Sequence, residues 1–104
     1  AVAQLEVVVR LDPEDAEAWT NLGVVLVRSR DDARGVEAFR QALRVAPGYL
    51  EAHRNLAVAL DRQGRGAEAA RHYRAFLAGS AADNPERAKI VARLAEMGTG
   101  RVAE

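Results

Sequence analysis

The chain contains no cysteine, which removes disulfides, thiolate metal sites and a cysteine nucleophile and leaves the compartment open between cytosol and periplasm. Aromatic residues amount to only 5%, so a core must be built mainly from Ala, Val and Leu, a choice that suits closely packed helices. Net charge is also missing. Fifteen basic residues offset fifteen acidic ones, and no global field draws the chain towards nucleic acid or an anionic membrane surface. No apolar run approaches the roughly 20 residues of a membrane-spanning helix. Residues 1 to 10 have neither the basic start nor the long apolar stretch of a signal peptide. The first residue is not Met, and the chain reads as a piece of a longer protein.

What is present is enough apolar material and a repeat. Hydrophobic residues make up 49% of 104 positions, and a compact chain of this length buries roughly 60 to 70% of its unfolded surface. Self-similarity recurs at a period of 34: Pro13 returns as Pro47, Glu17 as Glu51, Asn21 as Asn55, Leu22 as Leu56, Leu26 as Leu60 and Phe39 as Tyr73. A third echo places Ile90, Leu94 and Gly98 one period beyond Leu56, Leu60 and Gly64. Apolar residues at Trp19, Leu22 and Leu26, and again at Val36, Phe39 and Leu43, follow three-and-four spacing, so each stretch is an amphipathic helix. Breakers at Asp12-Pro13, Arg30-Asp31-Asp32, Ala46-Pro47-Gly48, Gly64-Arg65-Gly66, Gly79-Ser80 and Gly98-Thr99-Gly100 divide the chain into helices near 2 to 11, 15 to 29, 33 to 45, 49 to 63, 67 to 78 and 85 to 97. Gly23, and Ala57 one period later, offer flat spots where a partner helix can approach closely.

Trp19, Leu22, Gly23 and Leu26, followed by Phe39, Ala42 and Pro47, stand at the spacings of the tetratricopeptide signature, and the chain resembles that family over nearly its whole length. The first unit departs mainly at Gly35, where Ala is usual; the second places His53, Phe76 and Ala81 where Trp, Ala and Pro are usual. The resemblance implies an all-α fold, a right-handed superhelix of helix pairs. Residues 1–13 would be the second helix of a truncated repeat, 16–49 and 50–83 two full repeats, and 85–97 a C-terminal capping helix with a mostly charged exterior. Such a stack is stabilised by neighbour interfaces rather than by one globular centre.

The resemblance also implies a function: a scaffold or adaptor that binds a peptide or helix of another protein along the first helices of the pairs. The face opposite the Leu22 and Leu26 stripe offers Glu17, Thr20, Asn21, Val24 and Arg28 in the first unit. The second offers Glu51, Arg54, Asn55, Val58, Asp61 and Arg62, and the last helix adds Lys89. Asn21, Asn55 and Lys89 form a ladder at one-repeat spacing, and an Asn amide can pair with a peptide unit through both its donor and its acceptor. The same Asn belongs to the family consensus and equally serves solubility or a neighbouring helix. A basic clamp for a C-terminal carboxylate, found in some members, is not preserved, since Thr20 and Val24 occupy two of its places. Arg54, with Arg28 and Arg62, could still meet an acidic ligand, although arginines interleaved with Glu17, Glu51 and Asp61 also read as a mutually paired surface.

The first helix, with Val2, Leu5, Val8 and Val9, lacks its inner partner and is expected to leave an apolar stripe open for self-association, including a homodimer. Two further readings stand beside the adaptor: a structural segment of a longer superhelix that self-associates through that stripe, and repeats that recruit substrate for a catalytic domain outside this chain. No active site, cofactor site or metal site assembles from the residue types. His53 and His72 are lone imidazoles, Gly64-Arg65-Gly66 fits a left-handed helix cap rather than a phosphate loop, and the carboxylates Asp31, Asp32, Asp83 and Glu86 fall in turns or at helix starts. Fourteen Arg against one Lys suggests a bacterial source with a GC-rich genome.

Overall fold

A computed structural model describes the backbone of residues 2–103 and the side chains of residues 2–98. Within them lie six helices: α1 (Val2–Leu11), α2 (Ala16–Arg28), α3 (Asp32–Val45), α4 (Leu50–Arg62), α5 (Gly66–Gly79) and α6 (Glu86–Ala103). Local chemistry explains most of the boundaries. Asp15 accepts a hydrogen bond from the Ala18 amide and Asp31 one from the Arg34 amide, capping the starts of α2 and α3. Asn84 accepts from the Glu86 amide at 2.9 Å where α6 begins.

The ends of α2 and α4 close with the same device. After α2, the Asp31 amide reaches back to the Leu26 carbonyl and the Arg30 amide to that of Val27. After α4, the Arg65 amide bonds Leu60 and the Gly64 amide bonds Asp61. Both are Schellman closures, and both need a left-handed residue, Arg30 at φ 66° and Gly64 at φ 80°. Gly64 is therefore the expected cap. The expected break at Gly98 is not made, because α6 continues to Ala103. An isolated glycine costs a helix about 1 kcal/mol relative to alanine, which lowers its stability without ending it.

The helices pack as antiparallel neighbours, α2 on α3 and α4 on α5, with α1 against α2, α3 against α4, α2 against α4 and α6 against α5. The result is elongated, 47 × 28 × 20 Å. Close approach in the first pair depends on Gly23: a Cβ there would lie 2.5 Å from the Phe39 ring. Gly35, the departure from the usual Ala, has the same explanation, since a Cβ would meet Val27 at 2.5 Å. One apolar cluster gathers Phe39, Leu56, Leu60, Tyr73, Phe76 and Ile90; another gathers Val9, Leu22, Leu26 and Ala38.

The second cluster corrects the expectation for α1. Val9 is buried, and Val2 and Leu5 are partly buried against α2, so three of the four residues assigned to an open stripe are covered. A second helix of a repeat has two apolar faces, one for its own first helix and one for the next repeat's, and these residues serve the next repeat. Val8 does remain exposed, together with Val7 and Leu11. The exterior of α6 is less charged than expected, because Val91 is exposed among Ala88, Ala92 and Ala95.

Candidate functional site

On the face formed by α2 and α4 lies a concavity of about 380 Å³, lined by Val24, Val27, Arg28, Phe39, Glu51, Arg54, Asn55, Val58, Ala59 and Arg62. The structure thus brings together Val24 and Arg28 from α2 with Glu51, Arg54, Asn55, Val58 and Arg62 from α4. Glu17 and Asn21 are exposed on α2 but do not line it, and Lys89 is on α6 with Glu86 3.8 Å away. Thr20 is a correction. It is buried, and its hydroxyl donates to the Ala16 carbonyl one turn back at 2.9 Å, so the polar atom is satisfied within the helix and unavailable to a ligand.

Charges in the concavity are unevenly engaged. Arg62 faces Asp32 at 3.5 Å, a charge contact without a hydrogen bond to that oxygen. Among the described residues Arg28 and Arg54 have no carboxylate partner, and Glu51 is the one acidic residue of the lining. Asp61 does not line the concavity and is held by a latch: Arg93 of α6 donates to both its oxygens at 2.6 and 2.7 Å, and the Tyr73 hydroxyl donates at 3.1 Å. The Arg93 hydrogen bond holds the Asp61 carboxyl below its usual range, while burial and the Asp61 charge push the Tyr73 hydroxyl up to about 12.

The two histidines, read from sequence as isolated, meet. His53 Nδ1 and His72 Nδ1 are 3.0 Å apart, and His53 Nε2 lies 2.8 Å from the Pro47 carbonyl. A carbonyl only accepts, so Nε2 carries the proton; His53 Nδ1 is then the acceptor and His72 Nδ1 the donor. Burial, then the His53 charge, lower the His72 pKa. One period earlier the Trp19 indole N–H donates to the Pro13 carbonyl at 2.9 Å, the same bond made by a different ring. The signal for the pair was present: Trp19 becomes His53 and Ala38 becomes His72 after one period, and Ala38 sits across from Trp19 in one cleft.

Helix pairs repeated at this period, with closely packed small residues at Gly23 and Ala57, agree with the tetratricopeptide-repeat profile, which matches residues 1–34 and 26–85. The chain belongs to the tetratricopeptide-repeat family. Curated relatives of this tetratricopeptide-repeat chain include peroxisomal targeting signal receptors. That of Candida glabrata is 33% identical over 61% of this chain and 11% of its own length. That of Saccharomyces cerevisiae is 32% identical over 62% of this chain and 10% of its own length. The chain therefore spans about a tenth of the curated relatives it matches. Among solved structures, MamA AMB-1 superposes with a TM-score of 0.74 at 26% identity, over 85% of this chain and 48% of that one. Tetratricopeptide repeats make this a protein–protein interaction module of a family that typically scaffolds rather than catalyses.

Proposed function

We propose that the α2/α4 concavity holds an extended segment of another protein and prefers one with an acidic side chain. The observation that carries this reading is the pair Arg28 and Arg54, cationic and without carboxylate partners among the described residues, beside a single lining carboxylate, Glu51. Asn55 supplies an amide able to pair with a peptide N–H and C=O together, and Val24 and Val58 supply apolar contact. Val58, 38% exposed, gains the most from being covered. The targeting-signal receptors named above are, by their name, proteins that receive a signal in another protein, which agrees with a peptide-holding role. Repeats that recruit substrate for a distant catalytic domain would use the same surface.

The test is fluorescence anisotropy with a labelled acidic peptide and its counterpart carrying Asn and Gln for Asp and Glu. Arg54→Ala is expected to weaken the acidic peptide about tenfold, in line with about 1.5 kcal/mol for a hydrogen bond to a charged group. Asn55→Ala should weaken both peptides alike. Equal binding of the two peptides to the parent chain would remove the acidic preference, and no binding of either would remove the groove reading.

A further inference from the structure

His53 on α4 and His72 on α5 bring two ring nitrogens to within 3.0 Å of each other, and neither residue lines the concavity. Both rings are half-buried and meet solvent at the outer surface. We propose that this pair is a binding site for a divalent transition-metal ion, Cu(II) above others, held by Nδ1 of both imidazoles with water in its remaining positions.

The preceding unit shows what such a site requires. Trp19 anchors its ring on the Pro13 carbonyl at 2.9 Å, and an indole has no second nitrogen to offer. His53 keeps that anchor, its Nε2 donating to the Pro47 carbonyl at 2.8 Å, and gains a lone pair at Nδ1 across the ring. Opposite it, the place of Ala38 is taken by His72. Either difference alone gives one ligand; together they give two. The Pro47 bond is also the kind of outer contact that fixes the tautomer and the aim of a metal-binding histidine.

Distance and charge select the ion. Two nitrogens 3.0 Å apart, each about 2.0–2.1 Å from a common metal, subtend about 91–97° there. That is close to the angle between neighbouring corners of a square, whereas the ~109° of a tetrahedral zinc site needs about 3.3–3.4 Å. Imidazole and water donors in a square or tetragonal set suit Cu(II), which also stands highest in affinity among the first-row divalent ions. No third His, Cys, Asp or Glu completes a ligand set among the described residues. Glu68, one turn before His72, is engaged by Arg40 at 2.8 Å and Arg65 at 3.3 Å, so it lends charge rather than a bond. Arg40 and Arg71 oppose that charge at His72.

One proton lies between the two nitrogens, carried by His72 Nδ1. The ion takes its place, and that ring carries its proton at Nε2 instead, an atom not shut off from water. The charge of the pair is unchanged by this shift. The ring centroids are 5.3 Å apart, so the rings face each other nearly end-on. Both therefore tilt to meet an ion about 1.4 Å to the side of the line between the nitrogens.

The test is Cu(II) added to the parent chain in a non-chelating buffer, followed by titration calorimetry and electron paramagnetic resonance. The chain has two histidines in all, so a spectrum split by two imidazole nitrogens assigns both. That spectrum is the expected result. Loss of a direct ligand costs at least as much as loss of an outer contact, so His72→Ala should weaken binding at least about 10- to 100-fold and leave one coupled nitrogen. The double variant His53→Trp with His72→Ala restores the groups of the preceding unit and should lose the site with unchanged far-ultraviolet circular dichroism. Three results would overturn the proposal: a parent spectrum with fewer than two imidazole nitrogens, which decides the matter even where a variant fails to fold; His72→Ala binding as tightly as the parent; or a double variant that does so, which would put the ion elsewhere on the chain.

Discussion

Between α1 and α3 the outer surface falls into a cleft of about 620 Å³, reaching Val9, Trp19, Leu22, Leu26 and Ala38 and crossed by the Glu6–Arg34 ion pair. One period on, between α3 and α5, His53 stands for Trp19, His72 for Ala38, and the crossing pair returns with its charges exchanged as Arg40 and Glu68, 2.8 Å apart. The ring-to-proline bond survives the change, at 2.9 Å from Trp19 and 2.8 Å from His53. What repeats is thus the geometry of each contact, while the groups that make it vary. At another such contact the second unit is more polar, since Asp61 and Tyr73 replace Val27 and Phe39 and enlist Arg93.

The sharpest way to break this comparison is to delete the same leucine from each unit. Leu60 is 0% exposed inside the larger cluster and Leu26 borders the cleft at 4%. Leu60→Ala is expected to cost about 4 kcal/mol and Leu26→Ala about 3 kcal/mol, because a site beside an opening can relax or admit water. Urea midpoints for the two variants measure the difference. Next comes Gly23→Val, which drives a side chain into the Phe39 ring and should cost about 2 kcal/mol by overpacking. Adding Phe39→Leu should recover part of that loss, a favourable coupling visible in a double-mutant cycle. A purely additive pair would mean the size match across these helices carries no energy.

Smaller effects separate the turns and the titrating groups. Arg30 adopts at φ 66° the conformation that Gly64 adopts at φ 80°. Arg30→Gly is expected to raise stability and Gly64→Ala to lower it, each by about 1 kcal/mol, read from thermal midpoints. The smallest effect is on pH dependence. The His72 pKa is lowered in the folded chain, so below about pH 6.5 the unfolded chain takes up a proton that the folded chain resists, and stability falls as the solution is acidified. His72→Ala should flatten the slope between about pH 5 and 6.5. A further loss below about pH 4 should persist, because Asp61 and Glu68 are held low chiefly by hydrogen bonds from Arg93 and Arg40, and their contribution disappears as they protonate.

The helices and their order were legible because periodic apolar residues and breakers each left a local mark. Side-chain direction was harder to read. Thr20 sits at the edge of the apolar stripe, and a threonine that bonds its own helix backbone is as content buried as exposed. Val2, Leu5 and Val9 form the stripe of α1 that α2 covers rather than an open one, since a helix with two partners shows two overlapping stripes. The imidazole pair has no local mark, because His53 and His72 are 19 residues apart on different helices; its trace lies in the repeat, where the facing Trp19 and Ala38 both become His one period later. Arg93 could be tied to Asp61 only once α6 was seen to lie against α5, as the two are 32 residues apart.

The contact pattern has a mechanical consequence. Because α1 packs chiefly on α2 and α6 on α5, each tied one helix further in by a single ion pair, Glu6–Arg34 and Arg93–Asp61, tension applied at the two ends meets no bond that spans the described residues. Load is carried in series, helix by helix, and the outermost elements yield while the middle stays folded. Each helix of 13 residues drawn from about 1.5 Å to about 3.4 Å per residue releases about 25 Å of length. The chain would pay out in steps scaled to each helix, from the 10 residues of α1 to the 18 of α6, as an extensible tether whose central pairs are the last to give.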